Sequence, residues 1–204
     1  MHVVLVVGAL TDPRSGVLCR AVLLYDSHSG DELQRLLLPN AGAADGMRDG
    51  LMAIATDPHH PNSVLAVGFV GGENATAPGY VDEPMFLIGG EQCRPSLVRL
   101  ALHWAGGGGC QPKLVKTSES TINPPDEKLS SQSSSDDGGG GVKTAAAGFR
   151  AVQAMRVVYV EARRAFAVSH TMNQGNANRE FQFGLSLVST DTFLPGLKIH
   201  WTRT

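Results

Sequence analysis

His59 and His60 stand side by side between Pro58 and Pro61, and a pair of neutral imidazoles is residue chemistry that coordinates zinc or copper. A metal site needs several ligands converging on one point. Adjacent histidines in a proline-bounded turn point in different directions, and no Asp, Glu or Cys cluster is placed beside them by spacing. An ordinary turn is expected, and no metal. For nucleophilic catalysis the available pairs are Ser169 with His170, and Cys93 with Glu91. Neither lies in a Gly-x-Ser-x-Gly elbow, and successive strand residues face opposite sides, so Ser169 and His170 do not share a proton directly. The paired carboxylates Asp31-Glu32, Asp82-Glu83 and Asp136-Asp137 fall in expected turns or loops and read as solvated charge.

The glycine runs at 106–109 and 138–141 lack the Gly-Lys-Ser/Thr ending and the strand-to-helix context of a phosphate cradle, and read as linkers. Gly68, Gly71 and Gly72 read as the turn after a buried strand. What remains is suited to holding another protein. Arg99, Arg163 and Arg164 each combine a planar fork of donors with an apolar stem. Arg163-Arg164 reads equally well as a polar hairpin turn. Trp104 and Trp201 each end an apolar strand, where packing in the core or at its rim outweighs stacking on a ligand. These five are the candidate partner-binding residues, and no catalytic, cofactor-binding or metal residue is expected.

The elements that position them are strands. Three stretches repeat one outline, a short apolar strand ending in a turn: Leu5-Val-Val-Gly8, Leu65-Ala-Val-Gly68 and Phe166-Ala-Val-Ser169. Each is followed by an outer strand, respectively Arg20–Asp26, Ser96–Leu102 and Phe183–Ser189. Such recurrence points to stacked β-sheets. Asp26-Ser-His-Ser-Gly30 turns the second strand into Glu32–Leu38, because Asp and Ser bond the local backbone and Gly tolerates positive φ. The prolines of Asp57-Pro-His-His-Pro-Asn62 forbid a continuous helix there and leave strand, turn and strand. Arg156–Ser169 repeats this with a tighter turn at Ala162–Arg164, and Leu197–Trp201 alternates apolar and polar residues at strand period. Helical evidence is thin: Ala145–Met155 has room for a turn or two, interrupted by Gly148.

Residues 105–148 break this pattern with Gly and Ser runs and buried-core residues too sparse to offset ordering entropy. The expectation is a disordered low-complexity insertion, with Lys113-Leu-Val-Lys116 able to close a sheet before it begins. Segments 71–83 and 172–179 read as long loops.

At 204 residues, 42% hydrophobic and 18% charged, the chain falls among globular proteins with room for one sizeable core or two small ones. A net charge of −2 gives no electrostatic footprint for nucleic acid or an anionic membrane. Three cysteines without C-x-x-C spacing imply free or buried thiols and a reducing compartment, cytoplasmic or nuclear. The opening Met-His-Val-Val-Leu-Val-Val lacks a basic flank and is broken by Gly8 and Pro13, so it reads as a first strand, not a signal peptide or span. Asn74-Ala-Thr76 fits the glycosylation pattern and marks an exposed loop.

The arrangement resembles blades of a WD40-like β-propeller. One blade reads as Leu51–Ala55, Val64–Phe69, Met85–Gly89 and Leu97–Trp104, and the next as Gln153–Val160, Arg164–His170, Gly184–Ser189 and Leu197–Trp201. Val3–Ala9 and Arg20–Asp26 supply the outer half of an earlier one. The Gly-His and Trp-Asp dipeptides of the standard repeat are absent, and Tyr25-Asp26 and Ser189-Thr-Asp191 occupy the comparable turn. About two and a half blades stand against the roughly 4 to 8 of a closed ring. The resemblance implies an all-β fold, a partial or partner-completed β-propeller of antiparallel multi-stranded blades. It divides the chain into blades at 1–104, the insertion at 105–148 and a further blade at 149–204.

The function implied is a non-catalytic protein–protein interaction scaffold without cofactor, whose partners are other proteins, including a chain that completes the propeller. The competing class is a hydrolytic or lactonase-like enzyme on the same scaffold, with Asp, Glu, His or Asn converging on a metal at the channel mouth. Val157–His170 with Leu197–Trp201 also resembles the paired strands of an MPN domain. Active members carry a His-x-His with a following Ser and Asp, which this sequence lacks, so that resemblance implies an inactive scaffold subunit with a central helix packed on a sheet.

Overall fold

The computed structural model describes residues 2–39, 48–74, 88–89, 93–104, 111–122, 150–173, 181–190 and 195–201. Among them the protein is all-β: strands in three antiparallel sheets, joined in one place by a single turn of 3₁₀ helix at Glu161–Arg163. The first sheet is a meander of β1 (Val3–Thr11), β2 (Leu18–Asp26) and β3 (Glu32–Leu38). The middle sheet runs β4 (Arg48–Asp57), β5 (His60–Asn74), β7 (Arg94–Trp104) and β8 (Pro112–Ser120), with the two-residue β6 (Ile88–Gly89) pairing the far end of β5. The last sheet runs β9 (Arg150–Val160), β10 (Ala165–Asn173), β11 (Phe181–Ser189) and β12 (Pro195–Trp201).

An aspartate heads three of the tight turns. Asp12 accepts the Arg14 amide at 2.9 Å, Asp26 the His28 amide at 2.7 Å, and Asp57 the His59 amide at 2.9 Å. Each side chain thereby satisfies an amide that the strand ladder has dropped, which is why Asp rather than an apolar residue ends these strands. Gly16 and Gly30 complete the first two turns at φ 70° and 77°. At the β9–β10 turn Arg164 takes the left-handed conformation, φ 44°, with no glycine.

The sheets stack face to face, with the middle one covered on both sides. Successive residues of β5 face opposite ways. Val64 and Ala66 pack with Val22, Leu24, Val98 and Leu100 against the first sheet, while Leu65 and Val67 pack with Leu97, Phe166, Val168 and Val188 against the last. That is why the centre of β5 reads as a continuous apolar run rather than an alternating one. The stacking step repeats: β4 lies on β1 and β2, and β9 lies on β4, β5 and β7. Glycine permits the tightest approaches. A Cβ on Gly68 would fall 1.9 Å from the Gly50 carbonyl oxygen, and one on Gly184 would fall 2.2 Å from Cε1 of the buried His170 ring.

All three strand pairs read from the sequence are neighbours in the ladders, with Leu5 opposite Leu24, Leu65 opposite Arg99, and Phe166 opposite Val188. The middle sheet departs from expectation in its order. Its third strand is Arg94–Trp104, expected as the fourth, and Pro112–Ser120 follows as the fourth. Of Met85–Gly89 only the last two residues lie within the described strands. The sheet therefore reaches into the Gly- and Ser-rich stretch, most of which lies outside the described residues, as do residues 75–83 and 174–179 of the two expected loops. The first sheet adds to the two strands of the blade reading a third, Glu32–Leu38, which is the return strand of the hairpin expected from the Asp26–Gly30 turn. The central helix implied by the MPN resemblance has no counterpart among the described residues. None of the helical structure among them is long and apolar enough to cross a membrane.

Candidate functional site

A groove of about 660 Å³ is lined by His59 of the β4–β5 turn, by His60, Pro61, Asn62 and Ser63 at the start of β5, and by Arg99, Ala101, Thr117 and Ser118 of β7 and β8. Strand register assembles it. Ala101 lies opposite Ser63 and Ser118 opposite Arg99. A register shift between Arg99 and Leu100 opens the ladder at Thr117, whose hydroxyl donates to the Arg99 carbonyl at 3.2 Å. Arg99 Nε donates to Ser63 Oγ at 3.2 Å, fixing one edge of the guanidinium.

The wall of the groove is tied to the last sheet. His59 Nε2 lies 2.7 Å from Glu161 Oε1, and its ring meets Tyr159 edge-on at 6.1 Å, Tyr159 in turn meeting Phe166 at 5.5 Å. His60 turns the other way and places Nδ1 2.9 Å from Asp57 Oδ2. Burial of Asp57 works against its charge, but the His60 ring and the His59 amide outweigh it and hold the carboxyl below its ordinary value. Burial, with Asp57 and Glu161 nearby, pushes the Tyr159 phenol up. The two histidines thus serve separate carboxylates, as their adjacency in the turn implies. Among the described residues no three or more His, Cys, Asp or Glu gather as for a metal.

Of the five candidate residues, Arg99 lines the groove. Trp104, exposed at the end of β7, donates from Nε1 to Asn62 Oδ1 at 3.3 Å, and through Asn62 it touches the lining. Arg163 and Arg164 occupy the exposed turn that begins with Glu161, the partner of His59. Trp201 ends β12 opposite Phe183, in the last sheet's outer ladder and away from the groove wall. The other pairs weighed for chemistry are apart: His170 is buried with Nε2 3.2 Å from Ser186 Oγ, and Cys93 is buried with its thiol 3.4 Å from the Val152 carbonyl. Cys19 and Cys93 are buried thiols outside any disulfide, whereas Cys110 and Glu91 lie outside the described residues.

Three polar contacts, two between sheets and one within the middle sheet, are not signalled by any local motif. Arg20, buried on the inner face of β2, donates to Ser96 Oγ at 2.6 Å and pairs with Glu119 of β8. Asp49 is buried nearby and accepts the Gly71 amide at 2.9 Å; burial raises its carboxyl above the ordinary value. Gln34 of β3 bridges to the backbone of β8. Strand pairing of β4 with β5 brings Asp49 to Gly71, and the stacking of the first sheet on the middle one brings together the other two pairs.

The two outermost sheet faces have a different character. On the first sheet Val3, Leu5 and Val7 face inward, which turns Val4 and Val6 outward at 46% and 44% exposure beside half-buried Leu23 and Leu37. On the last sheet Val157 and Tyr159 face the middle sheet, and Val158 and Phe183 face away at 59% and 61%, beside Leu185 and Leu187. Comparison with known proteins finds no matching family model, no matching curated protein and no matching solved structure.

Proposed function

We propose that this chain is a non-catalytic interaction scaffold of β-propeller type, its three sheets consecutive blades and its two outer faces docking surfaces for further β-sheet from a partner chain. The observation that carries this is the outward aliphatic character of Val4, Val6, Val158 and Phe183. Each belongs to a sheet whose opposite face already packs against another sheet through residues of the same kind. Contiguous exposed apolar residues of this sort mark interaction sites on folded domains. The repeated stacking step supports the same reading, since a fourth sheet applied by that step to the last one meets Val158, Leu185 and Leu187 as β9 meets the middle sheet.

Sedimentation of the native protein from extract tests the proposal. The wild type is expected in an assembly heavier than one chain, and a variant carrying Val4→Lys, Val6→Lys, Val158→Lys and Phe183→Lys is expected as a single chain with unchanged circular dichroism. A wild type that sediments as one chain, or a variant that stays in the assembly, contradicts it.

A further inference from the structure

Both sheet-to-sheet packings among the described residues join unlike faces. The face of the first sheet that carries Val3, Leu5, Val22 and Leu24 is covered by the face of the middle sheet that carries Val64, Ala66, Val98 and Leu100. The opposite face of the middle sheet, with Leu65, Val67 and Leu97, is covered by the face of the last sheet that carries Val157, Tyr159, Phe166 and Val168. In both steps the first strand of the later sheet rides on the earlier sheet, β4 on β1 and β2, and β9 on β4, β5 and β7. The stack therefore has a direction. Each sheet has a forward face that receives the next sheet and a rear face that rests on the one before. Two faces are left over, the rear face of the first sheet and the forward face of the last, and they differ in relief. On the last sheet Ala167 stands between Val158 and Leu187 in one cross-strand row, and Ser169 between Arg156 and Leu185 in the next. These short side chains leave a trough along β10, walled by Val158 on one side and by Leu185 and Leu187 on the other. On the first sheet exposed Val6 stands beside Leu23 and exposed Val4 beside Tyr25, with no short side chain in either pair. They form a ridge on β1 and β2, and β1 is the first strand of its sheet, as β4 and β9 are of theirs.

Resting on the docking reading above, we infer that the occupant of each outer face is a second copy of this chain, stacked head to tail, with Val4 and Val6 of one copy seated along the β10 trough of the other. Each copy carries one face of either kind, so the step that builds the chain's own stack continues from copy to copy. Pairing like faces instead sets ridge on ridge and trough on trough, and an unfilled trough forfeits the dispersion contacts that close packing supplies. Heterologous contacts of this kind close into a ring when their rotation allows. Two copies bring six sheets, three described in each, within the roughly 4 to 8 of a closed propeller. In such a ring both contacts are the same contact, and no aliphatic outer face is left in water.

Sedimentation of the purified full chain, alone and in mixtures, tests it. The wild type is expected as two chains. One variant carries Val4→Lys and Val6→Lys, which block the rear face, and another carries Val158→Lys and Phe183→Lys, which block the forward face. Each variant alone is expected as a single chain, because every head-to-tail contact needs one face of each kind. Their equimolar mixture is expected to form pairs, since one intact contact remains between unlike variants. A variant that still pairs with itself, a mixture that stays as single chains, or a wild type that forms an open series of more than two overturns the inference. Should a lysine variant fail to fold, Val4→Ser with Val6→Ser and Val158→Ser with Phe183→Ser take their places with the same expected outcomes. A purified wild type that sediments as one chain overturns the inference as well. If the protein in extract is then still in a heavier assembly, the docking reading stands with a different chain as occupant; a single chain in both settings overturns both.

Discussion

The side-chain amide of Gln34 serves both backbone groups of Leu114: its Nε2 donates to the Leu114 carbonyl at 2.9 Å and its Oε1 accepts the Leu114 amide at 2.7 Å. β8 is an edge strand, and these outward-facing groups would otherwise be unpaired beside a packed sheet. Gln34 acts as one link of a strand ladder, made by a side chain from the neighbouring sheet. Gln34→Leu leaves a half-buried donor and acceptor unmatched and is expected to cost about 2 kcal/mol in urea unfolding. Gln34→Glu, which keeps the acceptor but loses the donor, is expected to be no better than Leu at neutral pH. A Gln34→Leu variant as stable as the wild type refutes this role.

Arg20 is the largest buried polar side chain between the first and middle sheets, and Glu119 and Ser96 are its partners. Burial works against the charge of Glu119, but the Arg20 guanidinium and Lys116 hold its carboxyl below the ordinary value. Removing one member of such a pair strands the other's charge. Arg20→Met is expected to cost about 3 kcal/mol, and Arg20→Met with Glu119→Leu to cost less than the sum of the two single changes. Additive costs in that double-mutant cycle would show that the pair does not couple.

Asp49 and Asp57 shift in opposite directions from their ordinary 3.8, and acid titration of stability separates them. Asp57 is lowered, so the folded state releases its proton more readily. Its contribution is present above pH 3.8 and is lost as pH falls through the folded value. Asp49 is raised, so the folded state prefers the protonated form. Its cost is absent at low pH and is complete once pH exceeds the folded value. Asp57→Asn is therefore expected to lower stability at pH 7 by about 1–2 kcal/mol and to converge with the wild type in acid. Asp49→Asn keeps an oxygen for the Gly71 amide and is expected to raise the urea midpoint at pH 7. Urea midpoints across pH check both signs, and a destabilised Asp49→Asn protein would contradict the second.

Gly68 and Gly184 both stand where a Cβ collides, but with different neighbours. At Gly68 the obstacle is backbone of β4, which cannot move without opening the sheet; at Gly184 it is a single imidazole. Gly68→Ala is expected to abolish the folded state. Gly184→Ala is expected to cost about 1–3 kcal/mol, relieved in part by His170→Ala in the same chain. Thermal unfolding that ranks the two glycines the other way contradicts this account of the packing.

Most strands were legible because one or both faces are apolar at period two, as in Val3–Thr11 and the Phe166–Ser169 run. β8 was harder to read. Its exposed Lys113, Lys116, Thr117 and Ser118 alternate with only Pro112 and Leu114 buried, as befits an edge strand, and Gly and Ser flank it. Of the candidate site Arg99 was legible, since it interrupts an apolar strand, and Arg163-Arg164 were legible as the polar hairpin turn that they occupy. Its assembly was not. His59 and Glu161 are 102 residues apart, Gln34 and Leu114 80, and Arg20 and Glu119 99, and only the stacking of whole sheets sets those distances.

The most direct test of the docking faces is thiol protection at Val158→Cys and Val6→Cys, each in a Cys110→Ser background, with buried Cys19 and Cys93 as internal references. Maleimide is applied to the native assembly and to the dissociated chain. Occupied faces predict slow labelling of both new thiols in the assembly and fast labelling once the chain is separated. Equal, fast labelling in both states would contradict the scaffold assignment.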